Sequence, residues 1–170
     1  VGLTLSKTRL FFVTDIHGSD RLFLKFVNAG KVYKANVLVL GGDITGKTVT
    51  PVFDQGGSWK AQYVGTWREV RSESELNDLE RNIRDLGSYP YRTTQSEWEK
   101  LRQNEASMEN VFIEVMTASI KRWVQIAEER LKPIEAKIII NTGNDDLAVV
   151  GDILAQSEYV IYPNEKIVLI

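Results

Sequence analysis

Three short apolar runs, each closed by a polar turn, constrain this chain more than any other feature. They are Leu10-Phe11-Phe12-Val13, Val37-Leu38-Val39-Leu40 and Ile138-Ile139-Ile140. The turns that follow them are Thr14-Asp15-Ile16-His17-Gly18, Gly41-Gly42-Asp43 and Asn141-Thr142-Gly143-Asn144-Asp145-Asp146. Such runs are too short for helices and read as strands buried on both faces. Between the first two, Ser19 or Asp20 can cap a helix from about Arg21 to Tyr33. Leu22, Phe23, Phe26, Val27 and Val32 form its apolar side, and Gly30 is its weak point. Strand, helix and strand in this length make a βαβ unit with parallel strands and a right-handed crossover. The expected class is therefore α/β.

From Thr48 to Val70 the apolar period changes to two, with Gln55-Gly56-Gly57-Ser58 as a turn. This predicts a hairpin whose Pro51-bearing strand lies at a sheet edge. Ser72 with Glu75 forms a capping box ahead of Leu76, Leu79, Ile83 and Leu86, and Gly87 stops that helix. Ser88-Tyr89-Pro90-Tyr91 reads as a connector. Thr94 with Glu97 opens a second helical stretch running to about Leu131, with a break expected within Gln103–Ser107. Its stripe includes Trp98, Met108, Phe112 and Trp123, read as the core of this segment rather than a partner groove. A helix from about Asp146 to Ala155 follows the third run, and Tyr159–Tyr162 and Ile167–Ile170 are expected to be strands.

Composition excludes several classes of function. There is no cysteine, so disulfides, thiolate metal sites and cysteine nucleophiles are ruled out. A net charge of −2 leaves no footprint for duplex nucleic acid or an anionic membrane. No apolar stretch is long enough to cross a bilayer, and the N-terminus lacks a signal-peptide core. A soluble, cytoplasmic protein is the expectation.

In an open parallel sheet, ligands bind beyond the carboxyl ends of the strands. Here that edge receives Asp15 and the single histidine, His17, then Asp43, then Asn144 and Asp145. Alternation along an extended chain would point Asp15 and His17 the same way, and a carboxylate with an imidazole suits a divalent transition metal. The plainer alternative is that Asp15 caps the next helix, His17 is solvated, and Asp43 and Asn144 are turn formers. A second pattern, Gly41-Gly42-Asp43-Ile44-Thr45-Gly46-Lys47-Thr48, satisfies the phosphate-loop spacing. That loop needs a helix to start at Lys47-Thr48, but the following Val49-Thr50-Pro51-Val52 favours a strand.

Asp15-Ile16-His17, Gly42-Asp43 and Gly143-Asn144-Asp145-Asp146 resemble the first three motifs of the calcineurin-like metallophosphoesterases, D-x-H, G-D and G-N-H-[DE]. The resemblance implies an α/β sandwich holding two divalent metal ions, manganese, iron, zinc or nickel, that hydrolyse phosphodiesters or phosphomonoesters. Asp15 and His17 would ligate one metal, Asp43 would bridge both, and Asn144 would bind the second. Residues 1–65 and 133–170 would form the core, and 66–132 a helical insertion or cap.

Two departures bear on activity. Asp145 stands where the family has the histidine that protonates the leaving group, and an ordinary aspartate is ionised at neutral pH. The family also draws further histidines from later loops, ending in G-H-x-H, whereas none follows His17 here. With the sequence ending inside an apolar run, the expectation is the first half of a longer protein or a degenerate relative, catalytically weak as it stands. The alternative function is a non-catalytic scaffold on the same fold, self-associating or binding a partner through the 66–132 segment.

Overall fold

The computed structural model describes residues 7–164 and 166–170. They form a mixed α/β structure with five α-helices and two separate sheets. The chain divides into two compact units. One comprises the chain up to Asp15, Phe23–Ile44 and Ile120–Ile170; the other comprises Ile16–Leu22 and Thr45–Ser119.

The first unit holds the parallel sheet. Strands β1 (Leu10–Val13), β2 (Val37–Leu40) and β7 (Lys137–Ile140) lie in the order β1-β2-β7, with both pairings parallel as the βαβ reading requires. Helix α1 (Asp20–Val32) joins β1 to β2, and Ser19 Oγ accepts from the Leu22 amide at 3.3 Å as its cap. Phe23, Phe26 and Val27 of α1 are buried, but Leu22 and Val32 are exposed, so the apolar stripe is narrower than expected. The indole of Trp123 stacks on Phe23 at 4.3 Å between centroids, a geometry that adds about 0.5–1.5 kcal/mol to the burial itself. Trp123 is thus core of this unit rather than of the segment 66–132. A Cβ on Gly30 of α1 would meet a Leu131 methyl at 2.8 Å, so a larger residue there requires that side chain to move.

The expectation that all three runs are buried on both faces fails at β1. Leu10 and Phe12 are exposed, while Phe11 packs towards Phe26 and Tyr33 of the α1 side. The cause is position: β1 ends the described sheet, and burial of an edge strand depends on neighbours that its own sequence does not specify. Helix α5 (Ala148–Ala155) starts two residues later than expected. Of Tyr159–Tyr162 only Ile161 pairs, in a parallel bridge to Ile139, and Ile167–Ile170 forms no strand.

The second unit holds a four-stranded sheet in the order β5-β4-β3-β6. Its strands are β3 (Thr48–Asp54), β4 (Trp59–Tyr63), β5 (Thr66–Val70) and β6 (Ser88–Thr93). The expected single hairpin is therefore a three-strand meander, and the expected connector Ser88–Tyr91 is a strand. Pro51 lies in the interior strand β3, not at an edge, and the β3–β4 register begins only at Val52↔Ala61. Helix α2 (Glu73–Asp85) buries Leu76, Leu79 and Ile83 against Val52 and Ala61. Leu86, expected on the same apolar side, is exposed at its C-cap, and Gly87 follows with φ 85°.

Helices α3 (Gln95–Arg102) and α4 (Glu105–Leu131) are separated within the predicted break, where Asn104 Oδ1 accepts from the Ser107 amide. Residues of α4 up to Ser119 count with the second unit and those from Ile120 with the first. The segment 66–132 contains β5 and β6 besides its helices. Among the described residues no helix is long and apolar enough to cross a membrane.

Candidate functional site

Register brings the three strand exits level. Val13 pairs with Leu40 and Leu40 with Ile140, each the last residue of its strand. With strands about 4.8 Å apart, the three exits fall within roughly 10 Å of one another. Backbone bonds then tie the first exit to the second. The Asp15 amide donates to the Gly42 carbonyl at 3.1 Å, and the Gly41 amide to the Val13 carbonyl at 2.8 Å.

The second and third loops are pressed together more closely still. A Cβ on Gly42, where φ is 128°, would come within 2.8 Å of the Gly143 Cα. One on Gly143 would stand 2.0 Å from Asp43 Oδ1, so only glycine permits this approach. Asp43 Oδ1 accepts from the Asp145 amide at 3.2 Å, and Asn144 Nδ2 donates to Asp145 Oδ1 at 3.2 Å. Beneath them, one oxygen of Asp146 accepts from the Gly143 amide at 2.8 Å and the Ile44 amide at 3.1 Å.

Asp15, Asp43, Asn144 and Asp145 are thereby gathered on one edge of the first unit. Asp43 is half-buried, and the other three are exposed. Asp15 and Asp43 have φ of 58° and 50°. This left-handed region is uncommon for residues with a Cβ and recurs at functional sites, although aspartate tolerates it better than most.

His17 is held differently. The extended alternation expected to align it with Asp15 is absent, because both residues have positive φ, 58° at Asp15 and 41° at His17, and the chain turns. His17 counts with the second unit, where its carbonyl abuts Gly87 so closely that a Cβ there would stand 2.2 Å away. Gly18 is pinned to Gly46 in the same way, and Ser19 Oγ donates to the Asp85 carbonyl. The imidazole itself is exposed.

The oxygen donors suit a hard or borderline divalent cation. Among the described residues, however, no three His, Cys, Asp or Glu side chains are close enough to form a ready metal site. The loops converge; the side chains are not drawn into a cage.

The phosphate-loop pattern opens no helix, since β3 begins at Thr48. The Gly46 amide, which such a loop would turn to phosphate, donates instead to the Tyr89 hydroxyl at 2.8 Å. Sequence reasoning did not single out Asp146 for a role, although it stands at the acidic last position of the third motif. The comparisons with family models, curated proteins and solved structures find no match to this chain.

Proposed function

We propose that this chain carries the first three motif loops of a calcineurin-like metallophosphoesterase and that its activity is metal-dependent hydrolysis of phosphodiesters or phosphomonoesters. One observation carries the reading: three level strand exits are bonded into a single edge bearing Asp15, Asp43, Asn144 and Asp145. Turn chemistry accounts for an Asp or Asn in any one loop. It gives no reason for the Asp43 carboxylate to meet an amide 102 positions away in the chain. Asp15, Asp43 and Asn144 would hold the metal, and His17 is added by the D-x-H pattern of the resemblance alone. A bound divalent cation supplies Lewis acidity towards a phosphoryl oxygen and lowers the pKa of water.

Asp145, in the position of the family's histidine, brings a carboxylate and no imidazolium N–H to the leaving group. Esters with good leaving groups are then the better substrates. The test is hydrolysis of an aryl and an alkyl phosphodiester by the purified protein with added Mn²⁺. Slow aryl turnover is expected, lower alkyl turnover, and loss of both in Asp43→Asn. Asp145→His should narrow the gap, since general acid assistance is worth about 10²–10⁴-fold. Equal aryl and alkyl rates, indifferent to both substitutions, would overturn the assignment. The departures from the family pattern, Asp145 in place of histidine and His17 as the single histidine of the sequence, give the second reading, a non-catalytic scaffold on the same fold. Stoichiometric Mn²⁺ binding with no turnover, even in Asp145→His, is its signature.

A further inference from the structure

The sheet of the second unit contains a defect that opens a groove. The β3–β4 ladder stops at Val52↔Ala61, although β3 reaches back to Thr48 and β4 runs on to Tyr63. Pro51, next in line, has no N–H to continue a ladder, and an interior strand is where proline is least tolerated. Beside it lies a cavity of about 460 Å³. Phe53, Gln62 and Trp67 line it from the sheet, and Trp98 and Arg102 line it from α3.

Its chemistry is one-sided. No lining residue is acidic, and Arg102 is the only charged one. A second cation adjoins it, with Lys60 Nζ 5.0 Å from the Trp67 ring centroid. Among the described residues the side chains of Arg102 and Gln62 have no hydrogen-bond or ion-pair partner. Trp67 is 51% exposed, an unusual state for so large an apolar surface.

We propose that this groove binds a small planar aromatic anion of the nucleoside monophosphate class. The ring lies against Trp67, the Gln62 amide meets its polar edge, and the phosphate pairs with Arg102. The volume falls within the roughly 300–1,000 Å³ usual for small-molecule sites. A single lining cation suits one phosphate and not the extended basic track of a single-strand nucleic-acid groove.

The test is calorimetric titration of the purified protein with adenosine 5′-monophosphate in EDTA, which removes any contribution from bound metal. Adenosine and ribose 5-phosphate serve as the half-ligands. Binding of the nucleotide with Kd below about 1 mM is expected, with both half-ligands weaker. Arg102→Gln should weaken nucleotide binding about tenfold or more, while leaving adenosine unchanged. Trp67→Leu should weaken the nucleotide and adenosine alike, by about tenfold. Both side chains are exposed, so the variants should melt close to the parent, and thermal unfolding checks this. No nucleotide binding by the parent, or binding indifferent to both substitutions in folded protein, would overturn the proposal.

Discussion

Asp146 ties the second and third loops together through one carboxylate oxygen, which accepts from the Ile44 and Gly143 amides. Removing it leaves two N–H groups without this partner, one of them on the buried Ile44. Asp146→Ala should therefore cost about 2–4 kcal/mol, since bonds to a charged acceptor are each worth about 1.5–3 kcal/mol and this carboxylate is half-buried. Asp146→Asn, which keeps one acceptor oxygen, should cost less. Urea unfolding of both variants measures this, and an alanine penalty under about 0.5 kcal/mol would show that the loops hold without it. The acid was visible in the sequence as the end of Gly143-Asn144-Asp145-Asp146. Its bond to Ile44 was not, because that residue lies 102 positions away and the bond depends on strand register. Asp15 and Asp43 were legible for the opposite reason, as each stands within three residues of the end of a short apolar run.

The capping boxes were the most legible features at the scale of the element, because each is complete within four neighbouring residues. Ser72 and Glu75 exchange bonds at the start of α2, and Thr94 and Glu97 do so at α3. Both glutamates are held below their ordinary pKa of 4.5. For Glu75 the leading cause is the Arg71 amide, then the Ser72 hydroxyl; for Glu97 it is the Thr94 amide, then the Thr94 hydroxyl. A lowered folded-state pKa means that the unfolded chain binds more protons just below pH 4.5, so stability rises with pH there. The contribution is complete above pH 4.5 and is lost as pH falls through the folded-state values. Glu75→Gln with Glu97→Gln should flatten this acid limb of the melting-temperature profile, and an unchanged limb would contradict it. Strand β6 was illegible because its pairing to β3 is parallel, distant in sequence and carries Pro90. Pro51 misled for a related reason: proline marks an edge or a defect, and here it marks the defect, where β4 no longer pairs.

For the whole molecule, the parallel class of the first sheet followed from local sequence, whereas the division into two compact units did not. That division cuts across α4 and separates Asp15 from His17, two residues apart in the chain. Periodicity describes one element at a time and carries no record of which unit an element's two halves join. On the proposed function, the strand-exit loops of the first unit hold a divalent metal ion. Protein metal sites commonly use three or four ligands per ion. On that reading the motif residues of this unit, Asp15, Asp43 and Asn144, offer three donors, enough for one ion and too few for two. Titration of the purified protein with Mn²⁺, read by electron paramagnetic resonance and by elemental analysis after desalting, tests this most directly. One tightly bound Mn²⁺ per chain, lost in Asp43→Asn, is predicted; no retained Mn²⁺, or an undiminished ion in Asp43→Asn, would contradict it.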